Sequence, residues 1–176
     1  LGFRNFVELG YNRMNRADYN KSMVEGFRKS IRDYIVPLSL KLRERQRERL
    51  GVDRLMVYDL FCQYTTGNSH PKGDPEWILK NGEKMYDELS PETSEFYRYM
   101  MDNDLMDVIS RKGKADMGYC DYIPLYRNPY IFANMNGTDD DITVLTHEAG
   151  HAFQSYRNRD FDVFEYMLPS YETAEI

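Results

Sequence analysis

Two histidines separated by three residues, with a glutamate directly after the first, form the segment of this chain best suited to chemistry. The segment is His147-Glu148-Ala149-Gly150-His151, and it holds two of the three histidines among 176 residues. Side chains four residues apart lie on one face of a helix, where both can bind one metal ion. The glutamate lies about 100° further round the helix, so it can reach a metal-bound water without becoming a ligand. The spacing predicts a hydrolytic metal site, and its alternative is a chance match on a surface helix.

A helix from about 139 to 156 would carry this motif. Thr138 and Asp141 have the spacing of a capping box at its start. Gly150 costs helix stability relative to alanine, which would be explained if another backbone or the substrate passed close to it. The histidines lie beside an apolar stripe, towards what we expect to be the wall of a cleft. The stripe comprises Ile142, Leu145, Ala149, Ala152, Phe153 and Tyr156.

A third ligand is needed, because a catalytic zinc usually has three protein ligands and one position for water. The metzincin class is excluded, since Arg157 and Gln154 stand where that class has a histidine and a glycine. We therefore expect a carboxylate from a following helix. The candidates are Asp160, Asp162, Glu165, Glu172 and Glu175. The first three follow the motif helix too closely, and spacing does not choose between the last two, which share a face of a helix starting at Pro169-Ser170.

Glycines, prolines and tyrosines crowd the segment between residue 111 and the motif. Within it, residues 130–135 predict a short strand that a turn at Asn136-Gly137 closes. We expect an exposed edge strand, which beside a metal can pair its backbone with an extended peptide. A purely structural edge strand is the alternative. The residues expected to contact substrate are Phe132, Ala133, Asn134 and Tyr119.

The first 50 residues predict helices. One spans 3–15, and Asp18 can cap a longer helix that Pro37 should kink and Gly51 should end. Apolar residues recur in this helix at three- and four-residue steps, at Met23, Phe27, Ile31, Tyr34 and Leu38. The charged run from 41 to 49 is interpreted as a solvated face.

Proline after a capping residue marks the next helices. Asp74-Pro75 and Ser90-Pro91 predict helices over 75–88 and 91–102, after a loop at 65–73. A further short helix is expected to about residue 111.

Composition narrows the class of protein. The net charge of −6 argues against a nucleic-acid partner, which favours a basic surface. Cys62 and Cys120 are expected to be buried free thiols, not zinc ligands or a disulfide. Without a membrane-length apolar run or a signal sequence, a cytoplasmic location is expected. The chain starts at Leu1 and stops in a predicted helix, so we expect a domain truncated at both ends.

Several short motifs occur close together between residues 111 and 153. They are Arg111-Lys112-Gly113-Lys114, Gly118-Tyr119-Cys120, the strand residues 130–134, Gly137-Thr138, Asp140 and residues 147–153. This set resembles the oligoendopeptidase F branch of the thimet oligopeptidase family of zinc metallopeptidases. The ending, 172–176, resembles that family's second zinc helix. The resemblance is strong from about 100 to 176 and weaker before, and Ala115-Asp116-Met117 departs from the small residues and extra glycine that are more usual there.

The resemblance implies a mainly α, zincin-like metallopeptidase fold with a small β-strand element beside the active-site helix. Residues 1–111 would be a helical segment, and 112–176 would supply the loop, the edge strand and the zinc-binding helices of one larger domain. It implies one zinc ion bound by His147, His151 and Glu175, with Glu148 as the general base and short peptides as substrates. In that family a tyrosine and a histidine downstream of the zinc helices stabilise the oxyanion, so this chain alone should be weakly active or inactive.

The predicted function is therefore zinc-dependent cleavage within oligopeptides. A related zinc carboxypeptidase or dipeptidyl carboxypeptidase is the near alternative, because the motif does not say what closes the cleft. A non-catalytic zinc- or peptide-binding protein is the alternative from another class, although a structural zinc site has no need of Glu148. A helical scaffold without metal is the third.

Overall fold

The structure is a computed structural model that describes residues 2–16 and 18–175. Leu1, Ala17 and Ile176 lie outside the described residues, and with them the last position of the predicted second zinc helix. The α-helices of the described chain are α1 (Phe6–Arg13), α2 (Lys21–Ser30), α3 (Val36–Leu50), α4 (Pro75–Leu89), α5 (Pro91–Asp102), α6 (Asp140–Asn158) and α7 (Tyr171–Ala174). The strands are β1 (Met106–Ile109), β2 (Tyr119–Ile123) and β3 (Asn128–Met135). The expectation of a mainly α fold with a small β element is confirmed.

The chain divides into two compact units. The first comprises Leu1–Asn68 with Pro169–Ile176, and the second comprises Ser69–Leu168. Among the described helices, none combines the length and the apolar character that crossing a lipid bilayer requires.

In the first unit, Asn20 caps α2 in place of the predicted Asp18. Its Oδ1 accepts hydrogen bonds from the backbone N–H groups of Ser22 at 3.1 Å and Met23 at 3.2 Å. Asparagine and aspartate are equally good capping residues. The capping residue is therefore two positions later than predicted, but it caps the helix through the same kind of side-chain oxygen.

The predicted kink at Pro37 is a π-helical turn instead. This turn covers Ile31–Ile35 and joins α2 to α3. A proline inside a helix removes one backbone hydrogen bond and crowds the carbonyl four residues earlier, and a wider turn accommodates both. The apolar side chains along this stretch are exposed, Phe27 by 67%. Gly51 ends α3 as predicted, with a φ of 68°.

In the second unit, α4 and α5 form a helical hairpin. Each of the two helices begins where the sequence predicts. Asp74 and Ser90 each accept a hydrogen bond from a backbone N–H of the first turn, at 2.9 and 3.2 Å. The two helices pack closely because Gly82 has no Cβ, which would overlap the Tyr97 ring. The Tyr97 hydroxyl donates to the Leu79 carbonyl at 3.2 Å.

The core of this unit is aromatic where α5 meets α6. Phe96 is fully buried, with 0% of its surface exposed. Its ring lies 6.2 Å from that of Tyr86, 5.3 Å from Phe153 and 5.5 Å from Tyr156, centre to centre. Such edge-on and tilted pairs add to the stabilisation from burial alone. This cluster connects the helical hairpin to the helix that carries the two histidines.

The sheet places β3 in its centre, in the order β1-β3-β2, so the prediction of an edge strand at 130–135 is wrong. β1 pairs with β3 in parallel, with Met106 opposite Ile131. β2 pairs with β3 antiparallel, with Tyr119 opposite Phe132. The short helix expected near 111 is also wrong, because β1 occupies that stretch. A four-residue strand is too short for periodicity to distinguish it from a helical turn.

Neither cysteine forms a disulfide, as expected. Cys62 is exposed, contrary to the prediction of burial, because it lies in the loop after α3. Cys120 is partly buried, and burial raises the pKa of its thiol to about 12. It therefore stays protonated at neutral pH, which argues against a thiolate ligand.

Replacing Phe96 with alanine should lower the free energy of unfolding by about 3–5 kcal/mol, because it leaves a cavity among packed rings. Denaturant titration of the purified protein measures this change. Leu125→Ala in the same unit is the control, since Leu125 is 83% exposed and its removal should cost less than about 1 kcal/mol. Equal losses in the two variants would contradict this account of the core.

Candidate functional site

The two motif histidines converge on α6. The Nε2 atoms of His147 and His151 lie 3.1 Å apart, and their rings are nearly perpendicular, at 86°. His147 is exposed and His151 is partly exposed. Both nitrogens therefore face one point at the helix surface.

This geometry fits a zinc ion. Zinc–nitrogen bonds are about 2.0–2.1 Å long, so two nitrogens separated by 3.1 Å subtend an angle of about 100° at the metal. Tetrahedral coordination requires about 109°, a difference that a small rotation of either ring removes. The donor set of two imidazoles is also one that zinc prefers.

Glu148 lies on the inner side of the histidine pair. It is 8% exposed and is therefore one of the few buried charged residues. A Cβ placed on Gly118 would lie 4.0 Å from its Oε1 and 3.3 Å from Cγ1 of Val144. The negative charge of Glu148 is also close enough to contribute to the raised pKa of Cys120, after burial. The carboxylate is thus enclosed between α6 and the start of β2.

The turn between β3 and α6 is held by a buried aspartate. The Asp141 carboxylate accepts hydrogen bonds from the backbone N–H groups of Asn136, at 3.0 and 3.2 Å, and Gly137, at 2.8 Å. Thr138 bonds to the Asn136 side chain at 2.7 Å, so the predicted capping box is wrong. Asp141 instead connects the turn to the first turn of the helix. It thereby sets the position at which α6 follows the sheet.

The apolar stripe of α6 is mostly where it was predicted. Leu145, Ala149, Ala152 and Tyr156 are buried, and Phe153 is partly buried. Ile142, in the first turn of the helix, is exposed, contrary to the prediction. α6 packs with this stripe against β3, β2 and α5.

Gly150 faces open space. Among the described residues, no atom lies within 4 Å of the position its Cβ would take. The prediction that another backbone passes close to Gly150 is therefore wrong for the described residues. Proximity of a substrate stays a prediction.

The residues expected to contact substrate have contacts within the protein. The Phe132 and Tyr119 rings stack on each other, 5.1 Å apart. Ala133 is 2% exposed, so its methyl group belongs to the core. Asn134 donates from Nδ2 to the carbonyls of Ala115 at 2.7 Å and Met117 at 2.9 Å. Tyr119 is the most exposed of the four.

A cavity of about 190 Å³ lies between residues 116–118, just before β2, and the start of α6. Its walls include Gly118, Asn134, Asn136 and Val144. One of its wall residues is Gly118, at which a Cβ would lie 4.0 Å from Oε1 of Glu148. The cavity is therefore bordered by the residues just before β2, by the end of β3 and by the start of α6.

The candidate third ligands differ in their own surroundings. Asp160, Asp162 and Glu165 are exposed, as expected. In the first unit, Glu172 accepts hydrogen bonds from Tyr19 and Arg16. These contacts, that of Tyr19 first, lower the pKa of Glu172 to about 2. Glu175, also in the first unit, is the C-cap residue of α7 and is exposed.

Sequence reasoning missed Lys114, Asp107 and the whole of β2. Lys114 was noticed only as part of a motif, and its burial has no local sequence signal. β2 was hidden because its tyrosines lie among turn residues. The Gly118 that precedes it was the available signal, since a glycine outside a turn often marks a close approach.

Comparison with known proteins gives consistent matches. A family model described as peptidase family M3 matches residues 84–176. Oligopeptidase PepF of Bacillus subtilis (strain 168) is 26% identical over 144 residues, which are 80% of this chain and 21% of that protein.

Two solved structures are more similar still. One, described as an oligoendopeptidase F from Bacillus anthracis strain Ames, has a TM-score of 0.94 and 56% identity over 99% of this chain and 32% of its own. PZ peptidase A, solved with an inhibitor, has a TM-score of 0.93 and 57% identity over 99% of this chain and 31% of its own. This chain thus spans less than a third of the length of each.

Replacing Asp141 with alanine should lower the free energy of unfolding by about 1–3 kcal/mol, because the backbone N–H groups of Asn136 and Gly137 lose a charged acceptor. Asp140→Ala is the matched control, since Asp140 is exposed in the same turn. Thermal and denaturant unfolding of both variants provide the measurement. If Asp140→Ala lowered the free energy of unfolding as much as Asp141→Ala, the cause would be the lost negative charge at the helix start and not these hydrogen bonds.

Proposed function

Because the chain belongs to peptidase family M3, in its oligoendopeptidase F branch, we propose that it is part of a zinc-dependent endopeptidase that hydrolyses short oligopeptides. The observation that carries this proposal is the convergence of two imidazole nitrogens, 3.1 Å apart, next to a buried glutamate. A structural zinc site would not need that glutamate. One zinc ion is the cofactor that this donor set fits.

The zinc ligands would act through identified atoms. Nε2 of His147 and Nε2 of His151 would bind the ion, and the carboxylate of Glu175 would be the third ligand. When bound, zinc would acidify a water molecule and polarise the carbonyl of the scissile bond. The exposure of His147 leaves the approach to this point open to a peptide.

Glu148 would transfer the proton. Its carboxylate would accept a proton from the attacking water and deliver it to the leaving amine. Its position one residue after the first ligand directs it to the water and away from the coordination position. Its burial beside Gly118 supports this role, because a fixed carboxylate needs little reorganisation during the reaction.

Glu175 is preferred to Glu172 because of what already binds Glu172. The latter carboxylate is occupied by Arg16 and Tyr19, and its low pKa reflects those contacts. Recruiting it to a metal would break both. The sequence resemblance also favours Glu175, which follows His147 by 28 residues.

An extended peptide would pair with β2. β3 is flanked on both sides, whereas β2 is an edge of the sheet and starts next to Gly118 and Glu148. Pairing along a sheet edge gives main-chain hydrogen bonds independent of the peptide sequence. Tyr119 would then lie nearest the scissile bond, which keeps it as a substrate contact.

Replacing Glu148 with glutamine should lower kcat about 10²–10⁴-fold while zinc stays bound, because the general base is lost and the ligands remain. The measurement uses the complete protein that carries this sequence, with peptides blocked at both ends as substrates. Metal analysis of the same samples is the control. Parental turnover by zinc-loaded Glu148→Gln would rule out the base, and cleavage confined to unblocked peptides would favour an exopeptidase.

Replacing Glu175 with glutamine should weaken zinc binding more than about 100-fold, because loss of a ligand costs more than loss of a residue that only supports one. Glu172→Gln is the matched control and should keep zinc. Competition with a chromophoric chelator measures both affinities. Loss of zinc from Glu172→Gln alone would transfer the ligand role to Glu172.

A further inference from the structure

The loop between β1 and β2 is held by a lysine whose side chain is only 2% exposed. The Nζ of Lys114 lies 2.8 Å from the Asp107 carbonyl, 3.0 Å from Asp107 Oδ1 and 3.0 Å from the Ile109 carbonyl. The Ala133 carbonyl is 2.5 Å away. An ammonium group has three protons, so these oxygens satisfy all of its donors. The same nitrogen lies 4.4 Å from the ring centre of Phe132.

A buried ammonium is costly unless a charge and hydrogen bonds compensate for the lost water. Asp107 supplies the charge. Arg111 donates to the same carboxylate from Nη1 and Nη2, its two terminal guanidinium nitrogens, at 2.7 Å each. Arg111 first, and then Lys114, hold the pKa of Asp107 well below its usual range. The start of the loop is thereby joined to β1 and to β3.

The middle of the loop has a second attachment. Nδ2 of Asn134 donates to the carbonyls of Ala115 at 2.7 Å and Met117 at 2.9 Å. Phe132, Ala133 and Asn134 therefore contact the loop in succession, through a ring, a carbonyl and an amide. We call these contacts of Lys114 and Asn134 the loop clamp.

The loop ends against the proposed base. A Cβ at Gly118 would lie 4.0 Å from Oε1 of Glu148 and 3.3 Å from Cγ1 of Val144. Gly118 therefore lies next to α6, at a place where an added methyl group would crowd Val144 and touch the Glu148 carboxylate. Where the clamp holds residues 115–117 decides how closely Gly118 approaches the carboxylate.

We propose that Lys114 is a positioning residue for Glu148, acting through the loop that ends at Gly118. By fixing this loop against β3, the clamp keeps Gly118 against the Glu148 carboxylate and so restricts the directions in which the carboxylate can point. The inference rests on the peptidase function proposed above. It also gives Phe132, Ala133 and Asn134 the role of holding the loop, in place of direct contact with a peptide.

The test replaces Lys114 with methionine in the complete, zinc-loaded protein. Methionine keeps most of the apolar stem and removes the ammonium. We expect kcat per bound zinc to fall about 10- to 100-fold, because a shift of about 1 Å in a reacting group has an effect of this size. KM should change much less. Hydrogen exchange of the amides of residues 115–118 should become faster, while zinc content stays at the parental value.

Lys112→Met is the matched control. Lys112 is exposed in the same loop, so the variant loses the same charge without touching the clamp. It should keep parental kcat and parental exchange. Lys114→Met with parental kcat would overturn the proposal. So would a lower kcat without faster exchange at 115–118, or one that follows loss of zinc or folded protein in proportion.

Asn134→Ala keeps the inference testable if Lys114→Met does not fold. This variant removes only the second attachment and should show faster exchange at 115–117 with a smaller fall in kcat. Parental values of both would overturn the proposal. A parental protein without any peptidase activity would instead refute the proposed function, and the exchange measurement would separately show whether the clamp holds the loop.

Discussion

The packing of one face of α6 against the sheet is the constraint on which the rest of the site depends. Ala149 and Ala152 are fully buried on that face. Their small side chains let the helix approach the sheet closely. Since each residue advances about 100° round a helix, burying Ala149 fixes the direction of its neighbours. Glu148 is consequently held at the border of the buried face, and the histidines lie on the open side.

Close packing at this border also explains the glycine at 118. Side chains there would have to share space with Val144 and Glu148. A backbone without a Cβ leaves room beside Val144 and beside the carboxylate, which is 8% exposed. A carboxylate that is partly removed from water and fixed in direction is better suited to proton transfer than a mobile surface group.

Two of the buried charged side chains in this unit bind backbone groups. Asp141 binds the amides of a turn, and Lys114 binds the carbonyls of two strands. In both cases a charged side chain forms hydrogen bonds with main-chain groups from neighbouring elements. Asp141 and Lys114 hold two segments near Glu148 in place. Asp141 does so at the start of α6, and Lys114 does so in the loop before β2.

The features that could be predicted from the sequence are those with local signals. Asp74-Pro75 and Ser90-Pro91 begin α4 and α5 because capping chemistry acts within one turn. The spacing of His147 and His151 likewise determines their geometry once the helix exists. β1 and β2 depend on pairing with a strand distant in sequence, and their short lengths carry no periodicity. The burial of Lys114 was beyond prediction for the same reason, because its acceptors come from β1 and β3.

The position of β3 shows how one nonlocal fact reassigns several residues. With β3 expected at the edge of the sheet, Phe132, Ala133 and Asn134 were expected to contact a substrate, and a purely structural strand was the alternative. Once strands flank β3 on both sides, its inner residues pack in the core and its other side chains hold the neighbouring loop. In the described sheet the edge strands are β1 and β2, and the first residue of β2 follows Gly118 directly. The strand proposed to bind a peptide and the carboxylate proposed to activate water therefore lie next to the same glycine.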